Sequence, residues 1–348
     1  MSADNRKVLS RTSLGVGLLA AVAASLGAAH ETDPVARGRY VVLIGGCNDC
    51  HTAGYTEAGG KLPDKDWLTG SGVGWRGPWG TAAGAQVVQA DLDDAASVQR
   101  ALHGARGAFC ITNFWEHFSP EKELAQASVM AEAARRADVS HVIWSTLEDT
   151  REFVPPDGAR MPLLMGRYNV PHFDAKGEAN RQFTDRGVPV TLLYTSFYWD
   201  NFIHFGMGPK PGPDGEFSLA LPLGEAKMPG IAAADIGGCA FGVFKQAPST
   251  VGTAIGIAGE HLSGAQMAMA FTRVLGRPVR YVPMSPQAYR GLGFPGADDL
   301  GNMFQFKRDF EGAFRARRDV ERSRRLWPAL QNFGQWLRVN AARIPLGS

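Results

Sequence analysis

From Gly84 onward the spacing of apolar positions switches repeatedly between two periods. In "GAQVVQADLDDAASVQRALHGARGAFCITN" an apolar, β-rich run over Gln86 to Ala90 gives way to a polar helical stretch from Asp94 to His103, then to a second apolar run from Gly107 to Thr112. The alternation continues with a helix over Glu121 to Ala137, a strand "HVIWSTL", a helix from Asp174 to Arg186 and a strand "PVTLLYTSFY". Strands separated by helices of this length are joined by crossovers, and successive right-handed crossovers build an open parallel sheet with helices on both faces. The predicted fold class is therefore α/β, built on an open parallel sheet. After the Pro/Gly loop "GPKPGPDGE" the chain passes through short strands into helices, which predicts a smaller α+β lobe over residues 209–348.

The front of the chain is written differently. Arg6, Lys7 and Arg11 precede the sixteen-residue apolar run "LGVGLLAAVAASLGAA", with small residues before His30. This is the layout of an export signal, residues 1–30. The run is short and weakly apolar for a bilayer span, so no stable membrane span is expected after cleavage. The protein would then be periplasmic or otherwise exported if the signal is used, and cytoplasmic if it is not.

Composition narrows the partners. A hydrophobic fraction of 45% over 348 residues is ample for a packed core, and a formal charge of +2 gives no field that selects nucleic acid or an anionic membrane. The arginine-rich run "RARRDVERSRR" carries Asp319 and Glu321 among its cations, which predicts a solvated helix face and no nucleic-acid stripe.

Of four cysteines, Cys110 and Cys239 stand apart in apolar stretches and are expected to be buried. Cys47 and Cys50 belong to "CNDCH". In C-x-x-C-H the two thiols form thioethers to haem vinyl groups and the histidine, here His51, ligates the iron. A thioredoxin-like pair wants a preceding strand in a β-α-β unit, and a zinc site wants two further ligands nearby. With an export signal upstream, haem c is the favoured cofactor. Val35 to Thr81 resembles the opening of a small exported c-type cytochrome, so residues 31–81 form a partial cytochrome segment. No methionine lies between Met1 and Met130 to serve as a distal ligand.

From Gly84 to about Asn340 the chain resembles the NmrA-like family, an atypical branch of the short-chain dehydrogenase/reductases. The resemblance is carried by "GAQVVQADLDD", "ITNFWEHFSPEKELAQ", "HVIWSTLEDT", "HFDAKGE", "SFYWDNF", "LALPLGEAKMPGIAAADIG" and "LGFPGADDLGNMFQF". It implies NAD(P) binding on a Rossmann-like domain, here residues 82–208, and a role as redox sensor or regulator with a redox partner or regulatory protein. Some members are reductases. The chain departs from the family where it matters most. It enters the pattern at what looks like the third strand, without the strand, glycine-rich loop and helix that cradle a pyrophosphate. "GVGWRG", Gly72 to Gly77, has the glycine spacing but neither the strand before it nor the helix after it. "YVVLIGG" ends like a first strand, but Cys-Asn-Asp-Cys-His stands where the phosphate helix should begin.

Site residues follow from the resemblance. Thr112 and Asn113, at the end of a strand, would border the adenine and ribose side of the cleft, and Tyr198 and Asn201 the nicotinamide. Ser145 ends the strand where reductases of the superfamily hold a catalytic hydroxyl. His172 and Lys176 have the spacing of the superfamily's Tyr-x-x-x-Lys pair, which puts both on one helical face. A histidine in the tyrosine's place weakens the proton-donor role. Tyr168 cannot take it over, because Pro171 interrupts the helical path to Lys176. The expected protein is an NmrA-like redox sensor with a degenerate dinucleotide site, NAD(P) held weakly or not at all, behind a haem-binding segment. An exported c-type electron carrier and an NAD(P)H-dependent oxidoreductase are the alternatives.

Overall fold

The computed structural model describes residues 90–346 except 156, 158, 213 and 214, together with the two-residue strands Arg76–Gly77 and Gly80–Thr81. The export signal, Cys47, Cys50, His51, "YVVLIGG" and nearly all of the Gln86 to Ala90 run lie outside the described residues.

Local signals start the helices. Asp94 accepts the Ala96 N–H and opens α1 (Ala95–Leu102). Ser119 accepts the Lys122 N–H ahead of Pro120 and opens α3 (Pro120–Arg136). Between them lie β1 (Gly107–Cys110) and the single turn α2 (Phe114–His117). Next come β2 (His141–Thr146), α4 (Pro171–Thr184) and β3 (Val190–Tyr194). The run expected as one strand, "PVTLLYTSFY", is cut at Thr195 and Ser196, and its end, β4 (Phe197–Tyr198), joins another sheet.

The rest comprises α5 (Asn201–His204), β5 (Lys210–Pro211), β6 (Phe217–Leu221), β7 (Lys227–Ile231), α6 (Ala233–Lys245), β8 (Ala254–Gly256), β9 (Glu260–Ser263) and α7 (Gly264–Leu275). It continues through β10 (Val279–Pro283), α8 (Pro286–Arg290), α9 (Ala297–Asp309), α10 (Glu311–Arg317), α11 (Val320–Leu326) and α12 (Phe333–Asn340).

Four strands form a parallel sheet in the order β8-β3-β2-β1. The central strand β2 is buried at every position because helices cover both faces. Val142 and Trp144 pack with Ala127, Met130 and Phe183 from α3 and α4, while Ile143 packs with Ile236, Cys239 and Val243 of α6. Burial pushes the Cys110 and Cys239 thiols up to about 12, and both are free. At the β1 edge Phe109 and Ile111 remain 38% and 50% exposed.

The boundary expected at residue 208 is crossed by the chain. β8 and α6, from beyond it, supply the last strand of the parallel sheet and the cover of one face, since the outer edge of β3 needs a hydrogen-bonding partner. Two three-stranded sheets, β9-β7-β4 and β10-β6-β5, enclose the largest core with α7, α9 and α12. Among the described residues no helix is long and apolar enough to cross a membrane.

The arginine-rich run departs from its expected solvated face. Its helix breaks between α10 and α11, and at the break Arg318 is fully buried. Its guanidinium donates to both oxygens of Glu148 at 2.6 and 3.0 Å and to the Thr195 carbonyl. Asp319 caps α11 and so turns the chain, an event that charge alternation alone does not record.

Candidate functional site

At the carboxyl ends of β1 and β2, α4 carries Lys176 into a closed polar cluster. The Lys176 ammonium has three N–H groups and three acceptors: the Thr112 carbonyl at 3.1 Å, Thr112 Oγ1 at 2.7 Å and Glu123 Oε1 at 2.7 Å. The Thr112 hydroxyl in turn donates to Glu123. Trp144 lies beneath, its ring centroid 5.2 Å from Nζ. Burial pulls the Lys176 pKa down, and the charge and hydrogen bond of Glu123 oppose it. His117 stands on the far side of Glu123, its Nε2 3.5 Å from Oε2. Its Nδ1 accepts the Ser119 N–H, which puts the ring proton on Nε2. Burial again pulls this histidine down, with Glu123 opposing.

His172 sits one turn earlier on α4 but turns to a different partner. Its Nδ1 is 2.6 Å from Asp299 Oδ1, and its backbone N–H donates to Oδ2 at 3.2 Å. The imidazole lies 4.7 Å from the Trp115 ring. The fold thus brings Thr112 to Lys176, but it does not bring His172 into the lysine's cluster.

Ser145 is placed on the other face of the sheet. It follows Ile143 in the alternation of β2, on the side covered by α6, whereas Thr146 faces α4 and donates to the Asn180 side chain at 2.7 Å. Tyr198 packs with the Ile143 cluster, its hydroxyl 3.3 Å from Thr195 Oγ1. Asn201 is half-buried at the start of α5, and Asn113 is exposed at the head of α2 without capping that helix through its side chain. Pro171 opens α4 and leaves Tyr168 outside the helix, against Arg167.

Two carboxylates that organise the site carry no motif. Glu123 was legible in one respect: with Ala127, Met130 and Ala134 it lies on the buried stripe of α3, where a charge requires a partner. Asp299 falls inside "LGFPGADDLGNMFQF", and nothing local marks it as the partner of a residue 127 positions away.

An NAD(P) diphosphate needs oriented N–H groups at a helix start and no fixed anion beside them. Among the described residues, β1 leads to the single turn α2, β2 to the carboxylates Glu148 and Asp149, and β3 to β4. Lys176 is already neutralised by Glu123. Of the residues expected beside the ribose and nicotinamide, Asn113 is exposed and Asn201 half-buried, whereas Tyr198 packs in the Ile143 cluster.

A parallel sheet with helices on both faces and polar residues gathered at its carboxyl edge defines a Rossmann-like protein of the nucleotide-binding class. The NmrA-like family matches residues 80–337, and the chain belongs to it. It is 30% identical over 219 residues to the NAD(P)H azoreductase of Xenophilus azovorans, covering 62% of this chain and 68% of the relative. It is 29% identical over 197 residues to the nitrogen metabolite repression protein nmr of Neurospora crassa, covering 54% of this chain and 37% of that protein. Among solved structures it is similar to NmrA, a negative transcriptional regulator, with a TM-score of 0.60 at 23% identity over 74% of this chain and 81% of the other. The triphenylmethane reductase of Citrobacter sp. shares the fold with a TM-score of 0.56 at 16% identity, over 73% and 83% of the two chains.

Proposed function

We propose that the chain is an NmrA-like redox sensor or regulator with a weakened dinucleotide site, preceded by a c-type haem-binding segment. The observation that carries this reading is the enclosure of Lys176. In the superfamily's chemistry this amine holds the ribose and lowers the pKa of a phenol. Here each of its N–H groups is spent on Thr112 or Glu123. Releasing it would leave Glu123, itself without exposure, as an unpaired buried charge. NmrA itself has been solved with NAD, which supports a nucleotide as the ancestral ligand.

Calorimetry on the full chain tests the reading. NAD and NADP are expected to bind no more tightly than roughly millimolar, about 4 kcal/mol of binding free energy, and reduced nicotinamide should not be consumed with simple carbonyls. Micromolar affinity would overturn it, and loss of that affinity in Lys176→Ala would assign the lysine to the nucleotide.

The haem part rests on the sequence pattern of Cys47, Cys50 and His51 alone. Expressed with a haem-attachment system and exported, the protein should carry one covalent haem, absent from the Cys47→Ser, Cys50→Ser variant. A colourless product of unmodified mass would remove haem from the reading. NAD(P)H-dependent reduction is the second reading, favoured by kinship with the azoreductase. Steady turnover of NADPH with an azo dye would establish it.

A further inference from the structure

We infer that the groove between α7, α12 and β9 binds a small monocarboxylate with an apolar body, on elements that take no part in the Lys176 cluster. A cavity of about 450 Å³ opens there, within the size range of small-molecule sites. Arg273 of α7 and Arg338 of α12 both line it. Both side chains are exposed, and neither makes a hydrogen bond or an ion pair among the described residues. A cation in the last turn of a helix ordinarily serves the C-terminal carbonyls. These two stand in last turns but do not serve them. Arg273 donates to no carbonyl of α7, and Arg338 folds back toward the first turn of α12, where its Nη1 lies 3.9 Å from the place a Cβ on Gly334 would take.

The walls select the rest of the ligand. Glu260 is the one carboxylate of the lining, and its Oε2 accepts the Phe333 N–H at 3.0 Å. Two guanidinium groups against one carboxylate leave a single positive charge, which calls for a single negative charge on the ligand. The guanidinium fork matches a carboxylate in shape as well as in charge. Leu262 and Met269 add apolar wall, Met269 being 53% exposed, and this surface calls for a hydrocarbon tail. Gly334 leaves room for it. A Cβ at that position would meet only Asn332 Oδ1 at 3.6 Å and Arg338 Nη1 at 3.9 Å, ordinary contact distances, so packing does not demand a glycine there. A merely solvated helix face would account for two unpaired arginines, but not for their meeting on one cavity with an apolar wall.

Calorimetry on the full chain, comparing octanoate with octanamide, tests the assignment, because the amide keeps the tail and loses the charge. Octanoate should bind about tenfold more tightly, the worth of a hydrogen bond to a charged group. The margin should shrink as salt is raised, since both arginines are exposed. Arg273→Gln and Arg338→Gln should each remove most of the margin while leaving octanamide affinity and the melting temperature unchanged. Gly334→Met, which fills the groove, should weaken both probes. Equal affinities, absence of binding, a margin that survives both arginine variants, or indifference of both probes to Gly334→Met would each overturn the assignment.

Discussion

Lys307 is a basic side chain placed where rings and one sulfur meet it. Its Nζ lies 3.3 Å from Met303 Sδ and 5.4 to 5.9 Å from the rings of Phe173, Phe197, Phe304 and Phe314, and the residue is 4% exposed. A desolvated cation–π contact is worth about 2 kcal/mol, whereas taking an ammonium out of water costs on the order of 20 kcal/mol before relaxation. Burial wins, with Arg318 repulsion added and Glu148 attraction opposing, and the pKa is pushed down to about 7. The unfolded chain holds this proton up to its ordinary 10.5, so between these values it binds more protons than the native state and stability rises with pH. Below pH 7 the full penalty is felt. Lys307→Met should therefore be more stable than the parent at pH 6 and lose most of the rise between pH 7 and 10. Thermal unfolding of both proteins across that range checks this, and parallel curves would contradict it.

At the scale of elements, α4 shows how a helix is seated. Asp174 accepts the N–H groups of Thr150, Asn169 and Val170, tying the helix start to the turn that follows β2. Asp174→Ala strands these donors and should cost about 3 kcal/mol in urea unfolding. Gly177 sits mid-helix, where alanine would ordinarily gain about 1 kcal/mol. Here the added Cβ would fall 2.4 Å from the Asp149 backbone nitrogen, which cannot yield as a flexible side chain would. The clash dominates, and Gly177→Ala should destabilise by about 2 kcal/mol. A stabilised variant would show that α4 can move off this turn. The core of this helix was legible from its period, but what covers His172 at its start was not, since that residue meets Trp115 and Asp299 of α9.

Across the whole molecule, Arg318 and Glu148 join segments 170 positions apart and bind the α10–α11 break to the ends of β2 and β3. Removing Arg318 leaves Glu148 as a buried charge without its bidentate partner, with Arg317 3.7 Å away. Arg318→Met should cost about 3–5 kcal/mol. Replacing both with apolar residues, Arg318→Met with Glu148→Leu, should restore much of that loss, because desolvation then ceases to be paid by either. Urea midpoints of the single and double variants provide the comparison, and additive losses would show that the pair is not coupled.

The sequence by itself determined the alternation of strands and helices from α1 to β3, the burial of Cys110 and Cys239, and the placing of Lys176 and His172 on one helix, because each is written in local period and residue type. Only the tertiary structure decided that "PVTLLYTSFY" is cut between two sheets, that β8 completes the parallel sheet, and that Lys176 meets Glu123 while His172 meets Asp299. The physical reason is common to all of these. Periodicity records which face of an element is apolar, whereas the partner of a buried charge or an open strand edge comes from a distant part of the chain that only the packed fold brings within hydrogen-bonding distance.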